Sequence, residues 1–467
     1  MLKGRFIGKR IICCILIVLA FLSPSYTEFK ADELWPKGPK ISSPSAIVIE
    51  LNSGTVLYEK NSDEKNYPAS ITKIMTTMLA LEYCELDEVV TFSADAVFKN
   101  EGNTSHIARD LNEKMTIEEC LYAVMLESAN ECAYAVAEHV GEKLGGNYQT
   151  FVDLMNEKAK ELGCTNTHFT NANGLPDENH WTSARDMALI SKEAYKNENF
   201  RIIISTRRYV IPPTNKHSVN TYLNNHHLMI HNYRTDSYLY KYAIGGKTGY
   251  TQAAGATLVT YGEKDGLEIV CVVMNTTQNA HYEQTIELFN FSFQNFVNYN
   301  IVENESMITK EELSMGFMNN YGSYVSLNEN AIITLPITAQ FSDATCSVIQ
   351  GEEKGSKVAE MVYTYGDKVV GSTAIEASKV TAEENYFNEN ASEIESAEKI
   401  IKIKPLDIIL WSLLIILLVI VIILIKKLYD NFYLIRQSMK IKKHHNSRFN
   451  SIRKRRKGFG RRNRRFR

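Results

Sequence analysis

Apolar residues run through Ala46-Ile47-Val48-Ile49, skip Glu50 to Leu51, and resume at Thr55-Val56-Leu57-Tyr58 after Asn52-Ser53-Gly54. Two short apolar runs around a glycine turn predict a strand, a turn and a returning strand. From Pro68 the period changes. Ile71, Ile74, Met75, Met78 and Leu79 recur at spacings of three and four, which predicts a helix. Proline suits a first turn, so Ser70 falls at or near the helix N-terminus.

Ile117 to Val140 is rich in helix formers but is interrupted by Ser128-Ala129-Asn130. Serine and asparagine favour caps and turns, so this triplet is expected in a short loop between two helices. Gly163 to Asp177 reads as a loop and Ser183 to Tyr195 as a further helix. Gly245-Gly246-Lys247-Thr248-Gly249 predicts an edge strand that another backbone can approach closely. Ala256 to Tyr261 and Leu267 to Met274 predict the next two strands. Helices flanking an antiparallel sheet make an α+β domain, here over residues 40–300. Short alternating runs broken by Gly and Asp predict a small β-rich domain over 304–381.

The ends of the chain differ in kind. Lys3, Arg5, Lys9 and Arg10 precede the apolar run Ile11 to Leu22, the pattern of an export signal over residues 1–25, with an uncleaved anchor as the alternative. Residues 383–404 open acidic and polar, as suits a stalk. Ile408 to Ile425 carries no charge and is long enough to be read as one C-terminal transmembrane helix. Residues 426–467 then hold 17 Lys/Arg and one acid, a basic tail of net +16 against −22 for residues 26–425. Positive-inside logic puts the tail in the cytoplasm and the acidic body outside the cell membrane. Anionic lipid headgroups are the expected partners of the tail, in preference to nucleic acid.

At 467 residues, with 44% hydrophobic and 23% charged positions, the chain is globular and too long for one core. Its eight cysteines show no CxxC spacing and read as small hydrophobes. Asn225-His226-His227-Leu228-Met229-Ile230-His231 approaches metal spacing, but no acid or thiol stands close by, so a polar loop is expected and no metal or cofactor is implied.

Chemistry concentrates in Ser70-Ile71-Thr72-Lys73, Ser128-Ala129-Asn130 and Lys247-Thr248-Gly249. Ser-x-x-Lys recurs at Ser62/Lys65, Ser396/Lys399 and Ser451/Lys454, so order and context matter more than any one match. A serine hydroxyl attacks only when a base takes its proton. Lys73 lies three residues along the same helical face as Ser70 and is the expected base, its pKa depressed by burial and by Lys247. Ser128 can relay a proton to a leaving amine, and Asn130 can hold a substrate amide. Lys247 and Thr248 can bind a terminal carboxylate. The N–H of Ser70 and that of Tyr250, just after Gly249, can stabilise an oxyanion.

With these motifs in this order the chain resembles the penicillin-binding-protein and serine β-lactamase superfamily. Tyr67 to Thr76, Glu127 to Ala133, Asn173-Gly174-Leu175, His180 to Ala188 and Gly246 to Thr251 narrow the resemblance to the low-molecular-mass D-alanyl-D-alanine carboxypeptidases. It implies a serine β-lactamase/transpeptidase-like fold and an acyl-enzyme on Ser70. It also implies release of the terminal D-alanine from peptidoglycan stem peptides, and trapping of the same serine by β-lactams. Two features depart from the family. Relatives usually end in an amphipathic surface helix, not an apolar span. Some carry an arginine upstream of Lys-Thr-Gly, where this chain reads Asn224-Asn225-His226-His227-Leu228. A D,D-endopeptidase and a non-turnover covalent β-lactam sensor are the alternatives. A class A β-lactamase would need a Glu-x-x-Leu-Asn element that is absent between Ser128 and Lys247.

Overall fold

The first apolar run forms β1 (Ser45–Glu50), which turns back into β2 (Val56–Lys60). Glu50 shapes the turn: its carboxylate accepts the backbone N–H of Asn52 at 2.7 Å and of Ser53 at 2.5 Å. The structure is a computed structural model that describes residues 35–99, 104–305, 324–354 and 357–378. The export signal, the stalk, the apolar run 408–425 and the basic tail lie outside the described residues. Among the described residues no helix is long and apolar enough to cross a membrane.

Two short hairpins follow along the chain, β3 (Val89–Thr91) with β4 (Lys114–Thr116) and β5 (Arg208–Ile211) with β6 (Thr221–Asn224). The three strands read from the sequence are longer than expected: β7 (Ala243–Thr251), β8 (Gly255–Lys264) and β9 (Leu267–Thr276). They join the N-terminal hairpin in one antiparallel sheet of order β2-β1-β9-β8-β7. The glycine-rich strand β7 therefore lies at the edge, as its composition predicts.

All six residues of β1 are buried, because each face of the sheet has its own cover. Ile47, Ile49, Val259, Tyr261, Val270 and Val272 pack into a core with the helices Lys73–Tyr83, Asn130–Lys143 and Ala184–Tyr195. Ala46, Val48, Leu258, Ile269, Cys271 and Val273 pack on the opposite face with Leu288 and Phe289 of the helix Ala280–Asn295. Two covered faces explain why these strands show little apolar–polar alternation in the sequence.

The helices Tyr148–Glu161, Glu198–Ser205 and Ala280–Asn295 and both short hairpins are elements the pattern did not single out. The hairpin strands have three or four residues, too few to show a period.

Beyond the helix Ala280–Asn295 the chain is mostly β. β10 (Phe296–Asn300) forms a two-stranded sheet with a strand from further along the chain. β11 (Tyr324–Leu327) is followed by β12 (Ile332–Pro336), which pairs with β10. β13 (Thr345–Lys354), β14 (Lys357–Tyr365) and β15 (Lys368–Ser378) complete a sheet of order β11-β15-β14-β13. Ile333, Leu335, Met361, Val370 and Ile375 form its core. Polar bonds fasten the β10–β12 pair to the β1–β2 turn: Ser53 Oγ and Thr334 Oγ1 are 2.7 Å apart, and Asn298 Nδ2 donates to Glu50 Oε1 at 3.1 Å.

Candidate active site

Ser70 sits in a single 3-10 turn, Ala69–Thr72, that leads into the helix Lys73–Tyr83. The turn begins under strain. Ala69 has φ +51°, a left-handed conformation that costs an L-residue about 1–2 kcal/mol. Neighbours hold it there. Thr257 Oγ1 of β8 donates to the Pro68 carbonyl at 3.0 Å, and Thr72 Oγ1 donates to the Ala69 carbonyl at 2.9 Å. His180 stands behind Thr72, with Nε2 2.9 Å from Oγ1. Its Nδ1 accepts the Thr170 N–H at 3.0 Å, so Nε2 carries the hydrogen and donates. Burial pushes His180 down to about 3, so the ring is neutral. Gly174 closes the other side: a Cβ there would lie 1.9 Å from the Ala69 oxygen.

Lys73, the first residue of its helix, is fully buried. Its Nζ lies 3.1 Å from Ser70 Oγ and donates to Asn130 Oδ1 at 2.7 Å and to the Asn173 carbonyl at 2.5 Å. Burial, then the charge of Lys247, hold the amine well below the ordinary lysine range, against a smaller opposing pull from Glu131.

Ser128 follows one turn of π-helix, Ala123–Glu127, and takes the left-handed conformation φ 60°, ψ 30°. The expected loop between helices shrinks to Ser128 and Ala129, since Asn130 already opens the helix Asn130–Lys143. The strained backbone aims Ser128 into the site, where its buried Oγ has no hydrogen-bond partner within the protein. Asn130 is anchored by its N–H to the Ser105 carbonyl at 2.9 Å. Glu131 next to it accepts the Ile107 N–H at 2.6 Å.

β7 supplies the facing wall. Thr248, Gly249 and Tyr250 line a cavity of about 720 Å³ together with Ser70, Ser128 and Asn130. Gly249 passes so close that a Cβ would stand 2.9 Å from the Ser70 nitrogen. Lys247 lies behind this wall. It is buried, its Nζ donates to the Thr248 carbonyl at 2.8 Å, and burial lowers it to about 7. Six of the eight residues singled out from the sequence thus share one cavity, while Lys73 and Lys247 stand behind it. The competing Ser62/Lys65 pair does not converge: Ser62 Oγ bonds Glu59 at 2.8 Å, and Lys65 lies over the Trp181 ring.

Several groups at the site belong to none of the three motifs. The Asn173 carbonyl is a backbone acceptor and leaves no trace in residue type. His180 lies 110 positions from Ser70 and would be found only by asking what a buried histidine holds. His226 reaches the cavity, paired with Glu127 at 2.8 Å, and Arg234 lies on the same wall. The stretch Asn224 to Leu228 carries no arginine, and Arg234, further along the chain, is the guanidinium that lines the cavity. His227 and His231 do not converge as metal ligands. His227 Nε2 lies 3.0 Å from Thr260 Oγ1, and His231 Nδ1 3.1 Å from the Asn225 carbonyl.

A family model described as D-alanyl-D-alanine carboxypeptidase matches residues 32–278. The D-alanyl-D-alanine carboxypeptidase DacF of Bacillus subtilis is 32% identical over 315 residues, which cover 66% of this chain and 77% of that protein. The crystal structure of the Streptomyces K15 DD-transpeptidase is similar with a TM-score of 0.51 at 28% identity, over 56% of this chain and 100% of that one. Penicillin binding protein 5 from Haemophilus influenzae shares the fold with a TM-score of 0.57 at 24% identity, over 73% and 98%.

Proposed function

We propose how the site works on the premise that the chain belongs to the D-alanyl-D-alanine carboxypeptidase family. It is a serine D-alanyl-D-alanine carboxypeptidase, a hydrolase, and we infer that it acts through an acyl-enzyme on Ser70 that β-lactams trap.

Ser70 is the nucleophile and Lys73 the base. Ser70 Oγ attacks the carbonyl carbon of the penultimate D-alanine, and its proton passes to the Lys73 amine. A neutral amine has two hydrogens and one lone pair. Asn130 Oδ1 and the Asn173 carbonyl accept the two hydrogens, which turns the lone pair toward Ser70 Oγ. That single arrangement carries the reading. The oxyanion is held by the Ser70 N–H and by the N–H of Tyr250 on the edge strand. Ser128 Oγ passes the proton to the leaving D-alanine nitrogen as the C–N bond breaks. Its missing protein partner supports this role, since a substrate amine would satisfy it.

Asn130 Nδ2 holds a substrate backbone carbonyl. Thr248 receives the terminal carboxylate beside Gly249, in the positive potential of Lys247 and Arg234. Water then hydrolyses the Ser70 ester, with the proton transfers reversed. A β-lactam enters the same route, and its opened ring stays on Ser70.

Peptidoglycan stem peptides are the substrates. An export signal, a span at 408–425 and a basic tail suit an enzyme tethered to the cell membrane with its catalytic body outside.

The test is hydrolysis of a D-Ala-D-Ala pentapeptide by the purified full chain. Catalytic D-alanine release is the expected result. Cleavage of crosslinked dimers without release from monomers would make it an endopeptidase. A stable penicillin adduct with no peptide turnover would make it a sensor.

A further inference from the structure

Cys84, Glu88 and His139 bring a sulfur, a carboxylate oxygen and an imidazole nitrogen together, with the donor atoms all within 4.8 Å of one another. They come from two parts of the chain. Cys84 closes the helix Lys73–Tyr83, Glu88 precedes β3, and His139 lies on the helix Asn130–Lys143. None of the three lines the active-site cavity. Glu88 Oε2 is 3.0 Å from His139 Nε2, and the two side chains are 25% and 23% exposed. That is enough cover to limit water and enough opening to admit an ion.

We propose that Cys84, Glu88 and His139 form a binding site for a zinc-class divalent cation. One thiolate, one imidazole and one carboxylate are ligands that such a cation accepts together, and a water completes four-coordination. Calcium and magnesium would demand more oxygen donors than this site offers. Lys143 does not block the site, because it bonds the other carboxylate oxygen of Glu88 and its side chain is 43% exposed. The other trio of suitable residues, Asp110, Glu113 and His217, fails this comparison. The buried guanidinium of Arg109 already holds Glu113 Oε1 at 2.8 Å.

The proton balance is simple. With His139 neutral, the imidazole hydrogen moves to Nδ1, the thiol loses its proton, and one proton is released per ion bound. The site is a clasp and not a catalytic centre. At about 1.5 Å of rise per residue, His139 lies roughly 13 Å along its helix from Asn130, and Cys84 roughly 16 Å from Lys73. The cation would fasten the far ends of the two helices whose first residues, Lys73 and Asn130, are hydrogen-bonded to each other.

The test uses the full chain, purified in detergent, reduced and metal-free, titrated with cobalt. A sulfur-to-cobalt charge-transfer band saturating at one equivalent is expected. Cys84→Ser should abolish the band, Cys164→Ser should keep it, and His139→Gln should weaken affinity at least about tenfold. Zinc at about 100 times its Kd should raise Tm by roughly 5 °C in the unmodified chain and leave Cys84→Ser unmoved. Penicillin labelling of each variant checks that it is folded. No charge-transfer band in the folded chain, or a band that survives Cys84→Ser, would overturn the proposal.

Discussion

Asn130 Oδ1 accepts a hydrogen bond from Lys73 Nζ at 2.7 Å, and it is the amide oxygen, not a carboxylate, that does so. A neutral acceptor orients the amine without adding the negative charge that would keep it protonated. The substitution Asn130→Asp reverses this choice. A carboxylate at hydrogen-bond distance favours the ammonium form and raises the Lys73 pKa. Penicillin acylation at neutral pH should slow by on the order of 10²-fold, with its acid limb moved upward. Stopped-flow acylation across pH checks it. An unchanged pH profile would show that Lys73 is not the group whose titration limits acylation.

Under the proposed mechanism Ser128 trades stability for chemistry. Its left-handed backbone and unpartnered buried hydroxyl are both costs of the folded state. Ser128→Gly should therefore stabilise the protein by about 1 kcal/mol while turnover falls about 100-fold. Thermal unfolding and D-alanine release, measured on the same preparation, separate the two effects.

Under the proposed mechanism Lys247 should give the reaction an alkaline limit. Its amine is lowered to about 7, so its charge is present below that pH and lost above it. Lys73 needs the opposite state and must be neutral. The expected kcat/KM profile is a bell whose acid limb belongs to Lys73 and whose alkaline limb falls near pH 7. Lys247→Gln should remove the alkaline limb and move the acid limb upward, because the neighbouring cation that depresses Lys73 is gone. Initial rates from pH 5 to 9 measure both limbs.

Three buried imidazoles set an acid limit on stability. Burial lowers His180 and His227 to about 3 and His281 to about 4. The unfolded chain protonates these residues below about pH 6.5, while the folded chain does not until near 3 to 4. Stability therefore falls as pH drops from about 6.5, each residue contributing at most about 1.4 kcal/mol per pH unit. Urea unfolding at pH 7 and pH 5 should show this loss, and His227→Asn should shrink it by one proton's worth.

The residues that gather at the cavity were readable in the sequence because the chemistry proposed for them is local and demands particular side chains. Ser70 and Lys73 need a spacing of three on one turn, Ser128 and Asn130 need a break in a helix, and Lys247 to Gly249 need a glycine-bearing edge. What was not readable depends on distance or on backbone. The Asn173 carbonyl could belong to any residue. The chain from His180 through Thr72 to the Ala69 carbonyl joins positions that only the fold brings together. The pairing of β1 with β9 likewise spans more than 200 residues. Arg234 belongs to none of the three motifs, and only the fold brings its guanidinium to the cavity wall.

The most direct test of the central claim is intact-mass analysis of the full chain and its Ser70→Ala and Lys73→Met variants after exposure to penicillin, alongside the pentapeptide assay. The unmodified chain should gain one penicilloyl group, mapped by proteolysis to the peptide holding Ser70, and should release D-alanine. Ser70→Ala should gain none and release none. Lys73→Met should stay folded and acylate at least about 10³-fold more slowly. A full-mass adduct on Ser70→Ala, or D-alanine release by that variant at the unmodified rate, would contradict the assignment of Ser70 as the nucleophile.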